Sequence, residues 1–399
     1  MTPPRSSIQR TLIVSRIFSP EPGAASMRLD ALAQELASSG HDVVVLTSRA
    51  PKNFEKAVPA AAGIRVLRAP VLRDKMGYIR GYLQYMSFDI PAFFRVLFSR
   101  SFAAMVVEPP PTTGVFMRVA AAIRRRPYFY YAADIWSDAS VAAGVPGLVS
   151  RTVAAMERWA LNGARAVLSV SDDVTARLQE LGVSSEISTV GNGVDTTTFS
   201  INGETHRSER PYFLYAGTAS EVHGASIFVH AFARIASKHT GVDLVFLGQG
   251  SERDEIEIEA SRLGDGRVQF LPRVQPTVAA SWIRGAVATL ASVRADHYEL
   301  GFPTKMYASV ACGAPVIYAG TGPGKSFAEQ PHLGYSVPYD VAAITQAMET
   351  ALSTRESPAD RLARASWAQA NVSISAVAAR VRKTIDRTSA TPAHPRSNA

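Results

Sequence analysis

Short apolar runs rich in β-branched and aromatic side chains recur along this chain in two series, separated by one polar stretch. The first series is TLIVS (11–15), DVVVLTS (42–48), GIRVLRA (63–69), AAMVVE (103–108), PYFYYA (127–132) and RAVLSVS (165–171). Most of these runs are continuous, not alternating, as parallel strands buried on both faces require. Helical segments lie between them. Met27 to Ser39 carries Leu29, Leu32 and Leu36 at helical spacing and ends at Gly40, and Val115 to Arg125 stops before Pro127. Strand, helix, strand in repetition predicts an α/β, doubly wound sheet.

After NGVD (192–195) the stretch TTTFSINGETHRSERP reads as a linker, and the alternation then restarts. YFLYAG (212–217), VDLVFLGQG (242–250), VQFLP (268–272), GAVATLAS (285–292) and APVIYAG (314–320) are the second set of strands, with helices such as Ala225 to Ser237 and Thr304 to Cys312 between them. A chain of 399 residues exceeds what one hydrophobic core supports. The expected organisation is a Rossmann-like domain over 1–195, a second over 196–372, a C-terminal helix over 373–387 packing back on the first domain, and a disordered tail over 388–399. Two such sheets place their carboxyl ends, where ligands bind, around a central cleft.

No uncharged apolar run reaches the length of a membrane span or a signal-peptide core, so the expected location is the cytoplasm. Cys312 is the only cysteine, which excludes an internal disulfide and a cysteine-based zinc site. The net charge of +8 is concentrated: residues 70–130 hold nine Arg or Lys against three acids, Asp74, Asp89 and Glu108, with aromatics interleaved. This segment (residues 73–126 above all) suits contact with anionic lipid at the inner face of a membrane; the plainer alternative is a solvated helix face over an aromatic core. No motif for nucleic acid accompanies the charge.

Two regions carry chemistry. Gly23 lies in the loop between the first strand and helix, where backbone N–H groups can approach an anion, although a turn glycine reads the same way. The stretch ADHYELGFPTKMYASVACGAPVIYAG (295–320) sets an acid, a loop and Pro303-Thr304-Lys305 at the start of a helix. A cation is disfavoured at a helix N-terminus, so Lys305 calls for an anionic partner such as a diphosphate.

Here the sequence resembles the retaining GT-B glycosyltransferases that include many bacterial O-antigen, capsule and mannosyl transferases. The marks are PPPTTG (109–114), ADIWSDASV (133–141), VSDDV (170–174), GNGVDTTTF (191–199), YAGTASEVHG (215–224), LGQGSE (247–252), VQFLPRV (268–274) and ELGFPTKMYASVACGAPVI (299–317). ADIWSDASV is similar to a stretch of the fucosamine-transferase-like branch. The Ala- and Arg-rich composition agrees with a bacterial source. The resemblance implies metal-independent transfer from a nucleotide sugar, with retention of configuration, to a glycan, lipid-linked or small-molecule acceptor, and so a role in polysaccharide biosynthesis. By it, the second domain holds the donor through Gly217, Thr218, His223, Arg273, Val274, Glu299, Gly301, Phe302, Pro303, Thr304 and Lys305, with Arg273 and Val274 beside the base. Gly23 crowds the phosphate. Asp134 orients the reacting groups or accepts a proton; as a residue after a strand it could instead serve the following helix, a task open to Asp138 as well.

The chain departs from the pattern at three places. Thr218 and His223 stand where the family carries Arg and Lys on the diphosphate, and Ala308 stands where it carries the acid that accepts from the ribose hydroxyls. Losing that acceptor costs about 1–3 kcal/mol of donor binding. Tyr307 or another group substitutes, or the donor is a deoxyribose nucleotide, or donor binding is lost. Gly322, Gly324 and Lys325, in AGTGPGKS (319–326), offer replacement phosphate contacts. The same octapeptide formally fits a P-loop, but no Mg²⁺-binding aspartate strand follows it. Other rivals are a non-catalytic GT-B scaffold that activates a partner glycosyltransferase and a sugar-nucleotide epimerase.

Overall fold

The computed structural model describes residues 9–21, 23–51, 54, 61–74, 77–263, 266–294 and 301–390. They divide into two compact units, Met1–Asn192 together with Val377–Ala399, and Gly193–Ala376.

The first unit is built on β1 (Arg10–Val14), β2 (Asp42–Ser48), β3 (Ile64–Ala69), β4 (Ala104–Val107), β5 (Tyr128–Ala132), β6 (Ala166–Ser169) and β7 (Glu186–Thr189). All pair in parallel in the order β3-β2-β1-β4-β5-β6-β7. The helices are α1 (Ala24–Ser38), α2 (Tyr82–Leu97), α3 (Pro111–Arg124), α4 (Trp136–Ala142), α5 (Gly147–Gly163) and α6 (Asp172–Glu180). The second unit repeats the plan. Its sheet runs β10 (Val268–Leu271), β9 (Asp243–Leu247), β8 (Tyr212–Ala216), β11 (Ala288–Ser292), β12 (Val316–Ala319) and β13 (Gly334–Val337), again all parallel. Its helices are α7 (Ile227–Ala236), α8 (Arg253–Arg262), α9 (Pro276–Gly285), α10 (Lys305–Ala311), α11 (Pro323–Ala328), α12 (Val341–Ser353) and α13 (Pro358–Asn371). In each sheet the winding reverses once, between β1 and β4 and between β8 and β11, and loops part there at the carboxyl ends.

The central strands β1, β4, β5, β6, β9, β11 and β12 are buried almost throughout, as their apolar runs demand. The edges differ from expectation. In β3 no residue is fully buried, Arg65 and Leu67 being exposed, and β10 is mostly half-buried, because an edge strand has one neighbour and thinner helical cover. The other two edges, β7 (EIST) and β13 (GYSV), carry no apolar run.

α3 begins at Pro111, not at Val115: Pro111 occupies the first turn, where no N–H is needed, and PPPTTG itself opens the helix. Gly114 faces inward there. A Cβ on it would stand 2.6 Å from the Tyr130 ring and 2.8 Å from Ala160 Cβ. The glycine thus lets α3 approach β5 and α5 closely. α14 (Ile374–Ala390) runs past the expected end at 387, and Thr388 is buried. From Val377 on, the helix belongs to the first unit. There Arg380 donates to the Val190 carbonyl at 2.7 Å, Arg382 pairs with Glu35 at 2.8 Å, and Arg165 donates to the Thr388 carbonyl at 3.0 Å.

Gly114→Ala is expected to destabilise the protein by about 1–3 kcal/mol, because neither the Tyr130 ring nor the Ala160 backbone can retreat. Denaturant unfolding followed by circular dichroism checks this; a midpoint equal to that of the wild type would contradict the close packing.

Candidate functional site

In the second unit the β8/β11 switch point brings together four of the expected donor residues, Gly217, Thr218, His223 and Lys305. Lys305 opens α10, and its side chain reaches back toward the loop after β8. Nζ donates to the Thr218 carbonyl at 3.3 Å and stands 3.8 Å from the centre of the Tyr215 ring. The Tyr215 hydroxyl donates to that same carbonyl at 2.9 Å. Gly217 makes the approach possible: its φ of +133° favours glycine, and a Cβ there would press on Lys305 Cε at 3.3 Å. Among the described residues no carboxylate pairs with Lys305. A half-buried ammonium held by a carbonyl and a ring loses hydration without a counter-charge, and burial pushes its pKa down to about 7.

His223 belongs to the same cluster. Its Nδ1 lies 2.7 Å from Ser220 Oγ, and its carbonyl accepts from Ser292 Oγ, at the end of β11, at 2.6 Å. Burial, and then the charge of Lys305, push its pKa down to about 4. It is therefore neutral near pH 7 and offers a hydrogen bond, not a positive charge. Gly248 and Gly250 serve the backbone. A Cβ on them would stand 2.2 Å from the Gly217 carbonyl and 1.8 Å from that of Ala219, so both are needed for the loops after β8 and β9 to run side by side.

The remaining positions are spread around this cluster. Arg273 is exposed just beyond β10, and Val274 packs on the core of the unit. Pro303 is buried, Gly301 is half-buried and Thr304 exposed. Phe302 stacks on Tyr307 at 4.4 Å, and Phe327 meets both rings edge-on. Tyr307, the expected stand-in for the ribose acceptor, is thus buried in an aromatic cluster, and Ala308 is buried beside it. Glu299 lies outside the described residues. In the AGTGPGKS segment, Gly324 is fixed by packing, since a Cβ would stand 2.3 Å from Tyr318 Cζ. Lys325 lies 3.7 Å from Glu329. This loop follows β12, next to the sheet edge, not the first strand on which a P-loop sits.

In the first unit Asp134 follows β5. It is exposed, yet the protein packed around its carboxyl pushes the pKa up to about 6, Glu108 and Glu157 adding to the effect and Arg28 opposing it. Glu108, at the end of β4, forms a buried pair with Arg28 of α1 at 2.6 Å, and the Arg28 guanidinium lies 4.8 Å from the Tyr131 ring centre. Glu108 Oε2, Arg28 Nε and the Tyr131 hydroxyl are buried without a protein hydrogen bond. The helix after Asp134 is served neither by Asp134 nor by Asp138. Glu157, from α5, accepts from the N–H groups of Trp136 and Ser137 at 2.8 and 2.9 Å and from Ser137 Oγ at 2.6 Å. Asp138 instead binds Arg177 through two hydrogen bonds, at 2.8 and 3.0 Å. Gly23 precedes α1 in extended backbone, and a Cβ there would meet no protein atom within 4 Å. No described residue packs on it closely enough to require a glycine.

Sequence reasoning missed Arg28, Glu108 and Glu157. Glu108 had a signal, an acid directly after a buried strand at the switch point; Arg28 and Glu157 sit on helices 80 and 21 residues from their partners Glu108 and Trp136.

Residues 23–193 match the model of the glycosyl transferase 4-like domain, and residues 210–354 match that of glycosyl transferases group 1. A glycogen synthase of Mycobacterium tuberculosis is 24% identical over 379 residues, covering 89% of each chain. The fold is similar to that of sucrose-phosphate synthase from Thermosynechococcus elongatus, with a TM-score of 0.74 and 18% identity over 95% of this chain and 98% of that one. It is also similar to HepE of Anabaena, solved in complex with UDP, with a TM-score of 0.71 and 16% identity over 95% and 100%.

Burial of Lys305 has a thermodynamic sign. Its folded pKa lies below the ordinary value near 10.5, so above about pH 7 the unfolded chain holds a proton that the folded chain has released. Stability is therefore expected to rise with pH through that window. Lys305→Met should raise the melting temperature at pH 6, by about 1 kcal/mol or more in stability, and the gain should shrink toward pH 10. An equal gain at both pH values would mean that burial does not penalise the charge.

Proposed function

The chain belongs to the GT-B glycosyltransferases, and on that premise we propose that it moves a sugar from a nucleotide-sugar donor to an acceptor with retention of anomeric configuration. The carrying observation is Lys305, an ammonium with no carboxylate partner among the described residues, held at the β8/β11 switch point by the Thr218 carbonyl and the Tyr215 ring. A diphosphate supplies a counter-charge to this lysine and, as it leaves, develops negative charge that the ammonium stabilises. The chain does this without a metal. His223 and Thr218 contribute hydrogen bonds in place of charges, and ADIWSDASV (133–141) is the reason for setting this chain near the fucosamine-transferase-like branch. Arg273, Val274 and the Gly301–Thr304 loop serve the rest of the donor site in this reading, and Lys325 offers a further phosphate contact. A related fold, HepE of Anabaena, has been solved with UDP-glucose, which supports a nucleotide sugar as donor.

The acceptor is a glycan, a lipid-linked sugar or a small molecule bound by the first unit. Asp134 accepts the proton of its hydroxyl; the buried Arg28–Glu108 pair holds the floor of that site, and Gly23 leaves the start of α1 open to an oxygen-rich group. No protein nucleophile is invoked.

Calorimetric titration with UDP, GDP, ADP and dTDP tests the donor reading. One nucleotide should bind at micromolar affinity, and Lys305→Ala should weaken it by about tenfold or more. Binding of none would remove the donor reading. Once that nucleotide is known, transfer from its sugars can be followed by NMR, where retention appears as an unchanged anomeric configuration.

The pH profile of kcat/KM should be a narrow bell, rising through the Asp134 pKa of about 6 and falling above the Lys305 pKa of about 7. Asp134→Asn should remove the acid limb and lower kcat by about 100-fold with nucleotide affinity unchanged. Retained kcat with an intact acid limb would take the proton-accepting role away from Asp134.

A further inference from the structure

α2 is apolar on both of its faces, and only one of them is covered. At 100° per residue, Phe88, Asp89, Ala92 and Val96 fall on one side of the helix, and all four are buried. Leu83, Ile90 and Phe94 fall on the other, with Phe98 in line at its end, and Tyr82 stands at its start; all five are exposed, Tyr82 at 70%, Leu83 at 69% and Phe98 at 83%. Phe94 and Phe98 stack in parallel at 6.4 Å, so the outer face presents a flat aromatic surface to solvent. α3 packs beside α2 through Phe93 and Phe116, and it adds exposed Val119 and Ile123. A soluble helix normally turns charges outward where this one turns rings.

The charges stand at the ends of the helix instead. Arg80 is exposed before α2, near Tyr78. Arg100, Arg125 and Arg126 are exposed beyond its far end, where Arg126 donates to Ser101 Oγ at 2.9 Å and Arg124 to the Ser99 carbonyl at 3.0 Å. Arg125 sits in left-handed backbone at φ 50°, a place where glycine is favoured. From 77 to 126 the chain contains just two acids, and the fold removes both from the surface: Asp89 accepts from Thr113 Oγ1 at 2.5 Å, and Glu108 pairs with Arg28. The exposed side of this segment therefore carries arginine charge with no carboxylate to offset it.

We propose that the outer face of α2, together with Val119 and Ile123 of α3 and the flanking arginines, docks on an anionic lipid bilayer. The helix lies in the headgroup plane, its rings entering the acyl boundary while the arginines meet lipid phosphates. Charge complementarity selects this occupant over a second copy of the chain, whose arginines would face these across a symmetric contact. Among the described residues no helix is long and apolar enough to cross a membrane, so the attachment is peripheral. This inference is independent of the donor and acceptor assignments above.

The test is sedimentation of the full chain with vesicles of phosphatidylcholine alone and with vesicles containing phosphatidylglycerol. Binding should require phosphatidylglycerol and weaken as salt rises. Phe94→Ser with Phe98→Ser, and separately Arg100→Glu with Arg125→Glu, should each lower the partition coefficient by about tenfold or more. Circular dichroism and nucleotide affinity, unchanged in both pairs, would show that the fold is intact. Equal binding to both vesicle types, no binding to either, or wild-type binding by folded variants overturns the proposal. So does a concentration-dependent dimer, seen by light scattering, that Phe98→Ser dissolves while vesicle binding is absent.

Discussion

A parallel strand cannot turn back on itself, and this requirement governs both units. Each strand must be followed by a crossover that returns the chain to the sheet's starting edge, and helices long enough to do so cover the faces. Every strand then ends on the same side, where the loops carry the residues that the sheet interior cannot hold. Lys305, His223 and Gly217 meet because β8 and β11 are neighbours in space though far apart in sequence. The Arg28–Glu108 pair meets at the β1/β4 boundary of the other sheet for the same reason.

Much of this was legible in the residues. Continuous apolar runs gave the buried central strands, since burial on both faces leaves no room for alternation. The edges were not legible: EIST and GYSV pair on one side and face thin cover on the other, so composition does not constrain them. α2 escaped for the opposite reason. With apolar residues all round, its periodicity dissolves, and the segment reads as basic and aromatic instead of helical.

The site divides in the same way. Lys305 and Gly217 could be found because their neighbours along the chain, a Pro-Thr-Lys helix start and a glycine after a strand, imply their geometry. Glu157 could not, since it serves the start of α4 across a tertiary contact while the local candidate Asp138 is engaged by Arg177. The environments also assign opposite tasks to like residues. Asp138 is tied to Arg177, whereas the Asp134 carboxyl, desolvated by the protein around it and then repelled by Glu108 and Glu157, has its pKa raised to about 6.

α14 bears on how the chain is made. The first unit is assembled from both ends of the sequence, and its last helix is tied to Val190, Glu35 and Arg165. The second unit is one uninterrupted stretch. On the ribosome, the half that emerges first is therefore the half completed last: its sheet can form early, but the surface that receives α14 stays bare until the whole second unit has been translated. A nascent chain halted anywhere in the second unit leaves the first unfinished, so synthesis itself couples the completion of one binding domain to the presence of the other.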